Sequence, residues 1–128
     1  MNRLGAIARA SEPWLWPLLL MAVIFALSAQ RDLTTGLGTL DLIARKIAHA
    51  VEFGLLLALW DRALQTVITR RGALIAAITI TLVYAGLDEY HQTFVSGRVG
   101  SPLDVAIDAV GIAIAVVLVT RLTTSRVR

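Results

Sequence analysis

Residues 72–92 read GALIAAITITLVYAGLDEYHQ. From Gly72 to Leu87 there is no charge, and the run is rich in Ile, Ala and Thr; then Asp88, Glu89, His91 and Gln92 arrive together. A run of this kind approaches the ~20 residues a helix needs to cross a bilayer. Helix is the expected state, because in lipid the backbone must satisfy its own hydrogen bonds. The stretch therefore predicts a membrane-spanning helix with ionisable groups at one end.

Three further apolar runs flank it. Pro13 to Ala29 carries no charge. Leu42 to Trp60 is apolar except for Arg45, Lys46, His49 and Glu52. The last begins near Asp104 and continues to Thr120, with Asp108 inside it. With their polar ends included, the spans fall at about 13–29, 42–60, 72–90 and 104–121. The expected fold is all-α: a single domain over residues 1–128, built as a four-helix transmembrane bundle. Composition agrees. Hydrophobic residues make up 57% and charged ones 16%, against about 45–50% and 25% in soluble domains. That is more apolar surface than a soluble fold of this length could bury.

There are no cysteines, which excludes disulfides and thiolate metal sites. The basic pI of 10.2 rests on eleven arginines and one lysine. They sit between apolar runs, with neither a basic stripe nor an aromatic platform, so nucleic acid is not an expected partner and membrane orientation explains them better. The N-terminal tail, the loop from Asp61 to Arg71 and the C-terminal tail hold Arg3, Arg9, Arg62, Arg70, Arg71, Arg121, Arg126 and Arg128. The other two loops hold Arg31 and Arg98, to which Arg45 and Lys46 can be added. The positive-inside rule then places both termini in the cytoplasm. A cleaved signal peptide is the competing reading of the first run, with Ala26-Leu27-Ser28 as its cleavage site. Trp14, Trp16 and Trp60 read as interfacial anchors. Gly36 and Gly38 loosen the first loop, and Gly97, Gly100 and Pro102 turn the chain before the fourth span.

On this topology the polar residues converge at the outer side. Ser28 and Gln30 close the first helix; Lys46, His49 and Glu52 open the second; Asp88, Glu89, His91 and Gln92 end the third; Asp104 and Asp108 begin the fourth. Lys46, His49 and Glu52 are three apart and should follow one side of their helix, while Asp88 and Gln92 form an i,i+4 pair. Asp104, Asp108, Gly111 and Ala115 share a stripe that turns from charged to small, and small residues let helices approach closely. A charged group facing lipid costs about 2.5–3.5 kcal/mol on insertion scales, so these faces should turn inward. The same residues could simply pair with one another and lock the bundle. As a cavity they offer three chemistries. His49, Glu52 and His91, with Asp88 or Glu89, could ligate a divalent metal, although H-x-x-E is not the H-E-x-x-H signature. Lys46, Arg98 and a protonated histidine could hold a phosphate or carboxylate. Glu52 and His91 could act as an acid–base pair.

At these positions the chain resembles the VanZ-like family, named for a protein associated with resistance to the glycopeptide teicoplanin. The resemblance runs through Ser28-x-Gln30, Lys46-x-x-His49-x-x-Glu52-Phe53, Asp88-Glu89-x-His91-Gln92-x-Phe94, Gly97-Arg98, Asp104 and Asp108-x-x-Gly111. Two positions depart from it: Ser96 stands where relatives often have proline, and Asp108 where they often have asparagine. The resemblance implies a compact four-span protein of the bacterial cytoplasmic membrane, linked to the cell envelope. The reading expected from residues and resemblance together is an outward-facing polar cavity that binds, or also modifies, an amphiphilic envelope molecule. A membrane lipid, a lipid-linked phosphate precursor or a lipoglycopeptide tail would be the partner. Lys46, His49 and Arg98 would meet the head group, with Ser28, Gln30 and Gln92 beside them. Glu52, Asp88, Glu89 and His91 would be the catalytic candidates, and Asp104 and Asp108 would orient the bases. A metal-dependent hydrolase or transferase is the alternative. A proton or ion carrier ranks below both, because the other halves of the spans look dry.

Overall fold

In the computed structural model the described residues are 3–30, 36–98 and 100–125. Arg31, Arg126 and Arg128, which entered the orientation count, lie outside them. Four helices follow one another: α1 (Arg3–Ser28), α2 (Thr39–Leu64), α3 (Arg70–Gln92) and α4 (Pro102–Ser125). All four runs expected to be helical are so, and among the described residues there is no strand.

Each helix is longer than its apolar run. At 1.5 Å per residue, the 26 residues of α2 reach about 39 Å, beyond the ~30 Å hydrocarbon layer. The ends therefore protrude as polar turns. The largest extension is in α1, which begins ten residues before Pro13 and passes through both Pro13 and Pro17. The loop expected from Asp61 to Arg71 is correspondingly shorter, because α2 continues to Leu64 and α3 starts at Arg70. Thr69 caps α3, its hydroxyl accepting from the Gly72 N–H at 3.3 Å.

The helix α2 is central, touching α1, α3 and α4, with α4 as its most extensive partner. Phe53, Leu56 and Leu57 of α2 are fully buried and join Ile24, Ala77, Ala85, Ile112 and Ala115 in one core. The α2–α4 seam is made by small residues. A Cβ added to Gly54 would lie 3.0 Å from the Gly111 carbonyl oxygen and 3.6 Å from Ala115 Cβ. One added to Gly111 would lie 2.8 Å from Ala50 Cα, so here the two backbones themselves touch.

The helix α1 is held to its neighbours at two levels. Arg62 donates to Glu12 at 3.0 Å, and Trp14 and Trp60 meet edge to face with ring centroids 6.3 Å apart. Midway, the Tyr84 hydroxyl donates to the Met21 carbonyl at 2.6 Å. The Arg62 end is not dry, contrary to expectation: Asp61 is buried there and accepts from Gln65 at 2.7 Å. By length and composition three helices are apolar enough to cross a membrane: α1, α3 and α4. The helix α2 is as long but carries Arg45, Lys46, Glu52 and Asp61.

Candidate functional site

The turn that starts α4 builds one wall of the site. Gly97 takes a positive φ of 85°, a conformation open to glycine. Gly100 passes so close to α3 that a Cβ would lie 2.7 Å from the Glu89 carbonyl oxygen. Ser101 then caps the helix, its hydroxyl accepting from the Asp104 N–H at 3.3 Å, with Pro102 at the first helical position. Glu89 is buried and accepts from the Ser101 N–H at 2.6 Å. This carboxyl group thus ties the end of α3 to the start of α4.

From Ser101 a chain of contacts leads to α2. The Ser101 hydroxyl donates to Asp104 at 3.0 Å, and Asp104 takes Lys46 in an ion pair of 2.5 Å. One turn further along both helices, His49 Nδ1 stands 3.4 Å from Asp108 Oδ1. That separation is too long or too bent for a hydrogen bond: His49 Nδ1 and both Asp108 oxygens lack partners. On α3, Gln92 donates to Asp88 at 3.1 Å and to Ser28 of α1 at 3.3 Å, all three groups buried.

Between α2, α4 and the 97–101 turn lies a cavity of about 220 Å³. Lys46, His49, Gln92, Arg98, Asp104 and Asp108, six of the candidate residues, line it together. Arg98 Nε is buried and has no hydrogen-bond partner among the described residues. Sequence reasoning missed Arg45, Leu42 and Ile107, which also line it. The signal was there: Leu42, Arg45, Lys46 and His49 are an i, i+3, i+4, i+7 set, and Asp104, Ile107 and Asp108 begin another.

The remaining expected residues stand elsewhere. Lys46, His49 and Glu52 do not share one lining stripe: six residues advance the helix by about 600°, so Glu52 sits roughly 120° round from Lys46. It is half-buried, within electrostatic reach of His49, Asp88 and Asp108, but outside the cavity wall. Asp88 lies behind Gln92, and Glu89 faces Ser101. His91 stacks on Phe25 with centroids 4.4 Å apart and is turned toward α1. Gln30 is exposed past the end of α1. The metal set His49, Glu52 and His91 is consequently not assembled: His49 turns to Asp108, and His91 to Phe25. Among the described residues no three His, Asp or Glu side chains converge to hold an ion.

Long apolar helices around a polar cavity at one end define a multi-pass helical membrane protein. The VanZ/LLP1 family model matches residues 10–123, which take in every residue of the site. The chain belongs to the VanZ/LLP1 family. No curated protein and no solved structure matches it.

Proposed function

We propose that the protein sits in the bacterial cytoplasmic membrane with four spans and cytoplasmic termini, and binds the anionic head group of an amphiphilic envelope molecule from the outer side. A lipid-linked phosphate is the class that suits the site. The observation that carries this reading is Arg98, which lines the cavity beside Arg45 and Lys46 with a buried, unpartnered Nε. A guanidinium half-withdrawn from water gains most from an oxyanion, which it can bind with two parallel N–H bonds. Asp104 pairs with Lys46 at this level. Leu42 and Ile107 give the cavity an apolar wall, against which the first carbons of a lipid chain can lie. The family's association with glycopeptide resistance accords with an envelope ligand of this kind.

Binding of polyprenyl phosphate to the purified protein in detergent tests the reading. Saturable binding should fall about 10–100-fold in Arg98→Ala, the range of a lost charge-assisted contact. No saturable binding, or an affinity indifferent to Arg98→Ala, refutes it.

A further inference from the structure

A phosphate accounts for the cavity's rim and leaves its floor unexplained. The rim carries Arg45, Lys46 and Arg98, with Asp104 opposite Lys46. One helical turn inward, about 6 Å along α4, Asp108 lines the same cavity at 1% exposure. Neither of its oxygens has a hydrogen bond among the described residues; His49 Nδ1 stands 3.4 Å from Oδ1, and Oδ2 is left without even that. Behind it Asp88 is buried with Oδ1 also unpartnered, and Glu52 is close enough to be felt by both. His49 is the imidazole beside this group, next to Asp108 and with Glu52 and Asp88 within electrostatic reach. Buried acceptors without donors are costly. An anion alone would add to that cost, and water would bring donors without charge. A group that carries both positive charge and N–H donors removes it.

We infer, on the footing of the anion-binding reading above, that the cavity takes a zwitterionic head group, its phosphate on Arg98 and Lys46 and its primary ammonium on Asp108. The spacing agrees. Phosphorus and nitrogen in a phosphoethanolamine unit are four bonds apart, about 4–5 Å when extended. The offset from rim to floor is about 4.5 Å from Lys46 to His49 and about 6 Å from Asp104 to Asp108. The cavity's 220 Å³ leaves room for such a head group. A trimethylammonium has the charge but no N–H to give Asp108, so the site should distinguish primary from quaternary amines.

The test is binding of short-chain lipids to the full chain in detergent: dihexanoyl phosphatidylethanolamine, phosphatidylglycerol and phosphatidylcholine, with free phosphoethanolamine as a fourth probe. The ethanolamine lipid should bind about tenfold or more tighter than the glycerol and choline lipids, the worth of one charge-assisted bond. Free phosphoethanolamine should compete with it, more weakly, for want of the apolar wall. In Asp108→Asn the preference should shrink to about twofold, because the amide keeps the shape and loses the charge. Equal binding of ethanolamine and glycerol lipids by the wild type overturns the zwitterion and leaves the anionic reading standing. Equal binding of ethanolamine and choline lipids overturns it also, since N–H donation then counts for nothing. Failure of every probe overturns the zwitterion, and polyprenyl phosphate binding then decides the anionic reading by itself. The wild-type comparison decides the matter even if Asp108→Asn does not fold.

Discussion

Gly111→Ala is the sharpest test of the structure, because it adds one methyl where α2 and α4 touch. The new Cβ would lie 2.7 Å from the Ala50 carbonyl carbon and 2.8 Å from Ala50 Cα, and nearer still to the carbonyl oxygen. Comfortable carbon–carbon contact is about 3.5–4.0 Å, and the atoms met are backbone, so no rotamer change makes room. The helices must separate by roughly an ångström, an overpacking that costs about 1–3 kcal/mol. Gly86→Ala is the control: Gly86 is exposed on α3, and a Cβ there meets nothing within 4 Å. Both variants gain the same helix propensity, about 0.5–1 kcal/mol, so their difference isolates the packing. For a chain of this size that difference is a gap in Tm of roughly 3–12 °C, with Gly86→Ala the higher. Unfolding in detergent, followed by fluorescence of Trp14, Trp16 and Trp60, measures it. Gly111 follows Asp108 by one turn and Ala50 follows His49, so Gly111→Ala should weaken ligand binding too. Melting of the two variants within a degree of each other would refute a backbone-to-backbone seam.

Two further outcomes follow from the buried contacts. Gln92→Leu removes the one donor that reaches Asp88 among the described residues, so it should destabilise the protein by about 1–3 kcal/mol. Ser28→Ala, which takes away only a neutral acceptor, should cost clearly less, and denaturation of both in parallel checks the order. Lys46 and Asp104 are each about a third exposed, with side-chain exposures of 32% and 27%. Solvent screening therefore limits their coupling to about 1 kcal/mol in a double-mutant cycle of Lys46→Met and Asp104→Asn, and added salt should lower it.

The helices were legible because their signal is length and charge-free runs, and lipid leaves the backbone few alternatives. The convergence of Lys46, His49, Gln92, Arg98, Asp104 and Asp108 was legible once the runs were folded back on one another. What failed was the angular placement of side chains. A spacing of three makes Glu52 look aligned with Lys46, although two such steps carry it a third of the way round the helix. His91 is only one residue from Gln92, yet 100° of rotation turns it to Phe25. Glu89 could be recognised as polar and important, but its bond to the Ser101 N–H depends on the path of the 97–101 turn, which spacing does not specify. Arg45 was missed for another reason. A charge near a membrane boundary reads first as a mark of orientation, which hides its i,i+4 relation to His49.

The helix that holds most of the site is the one that composition alone would leave out of the membrane, and the exposures explain how it can be there. Ile43, Ile47, Val51 and Leu55 follow one another at intervals of four and are all at least half-exposed or nearly so, at 49%, 59%, 63% and 50%. They give α2 a continuous apolar strip for lipid. Arg45, Lys46, His49 and Glu52 stand on its other sides, toward the cavity and the neighbouring helices. An average over the helix cancels the two faces and reports neither. Position in the bundle matters as much. Only a helix with neighbours on three sides can turn several ionisable groups away from lipid at once, and α2, like α3, touches all three of the other helices. The charges and the central placement thus require each other: moved to α1, which meets α2 and α3 only, the same residues would leave groups facing lipid at about 2.5–3.5 kcal/mol each.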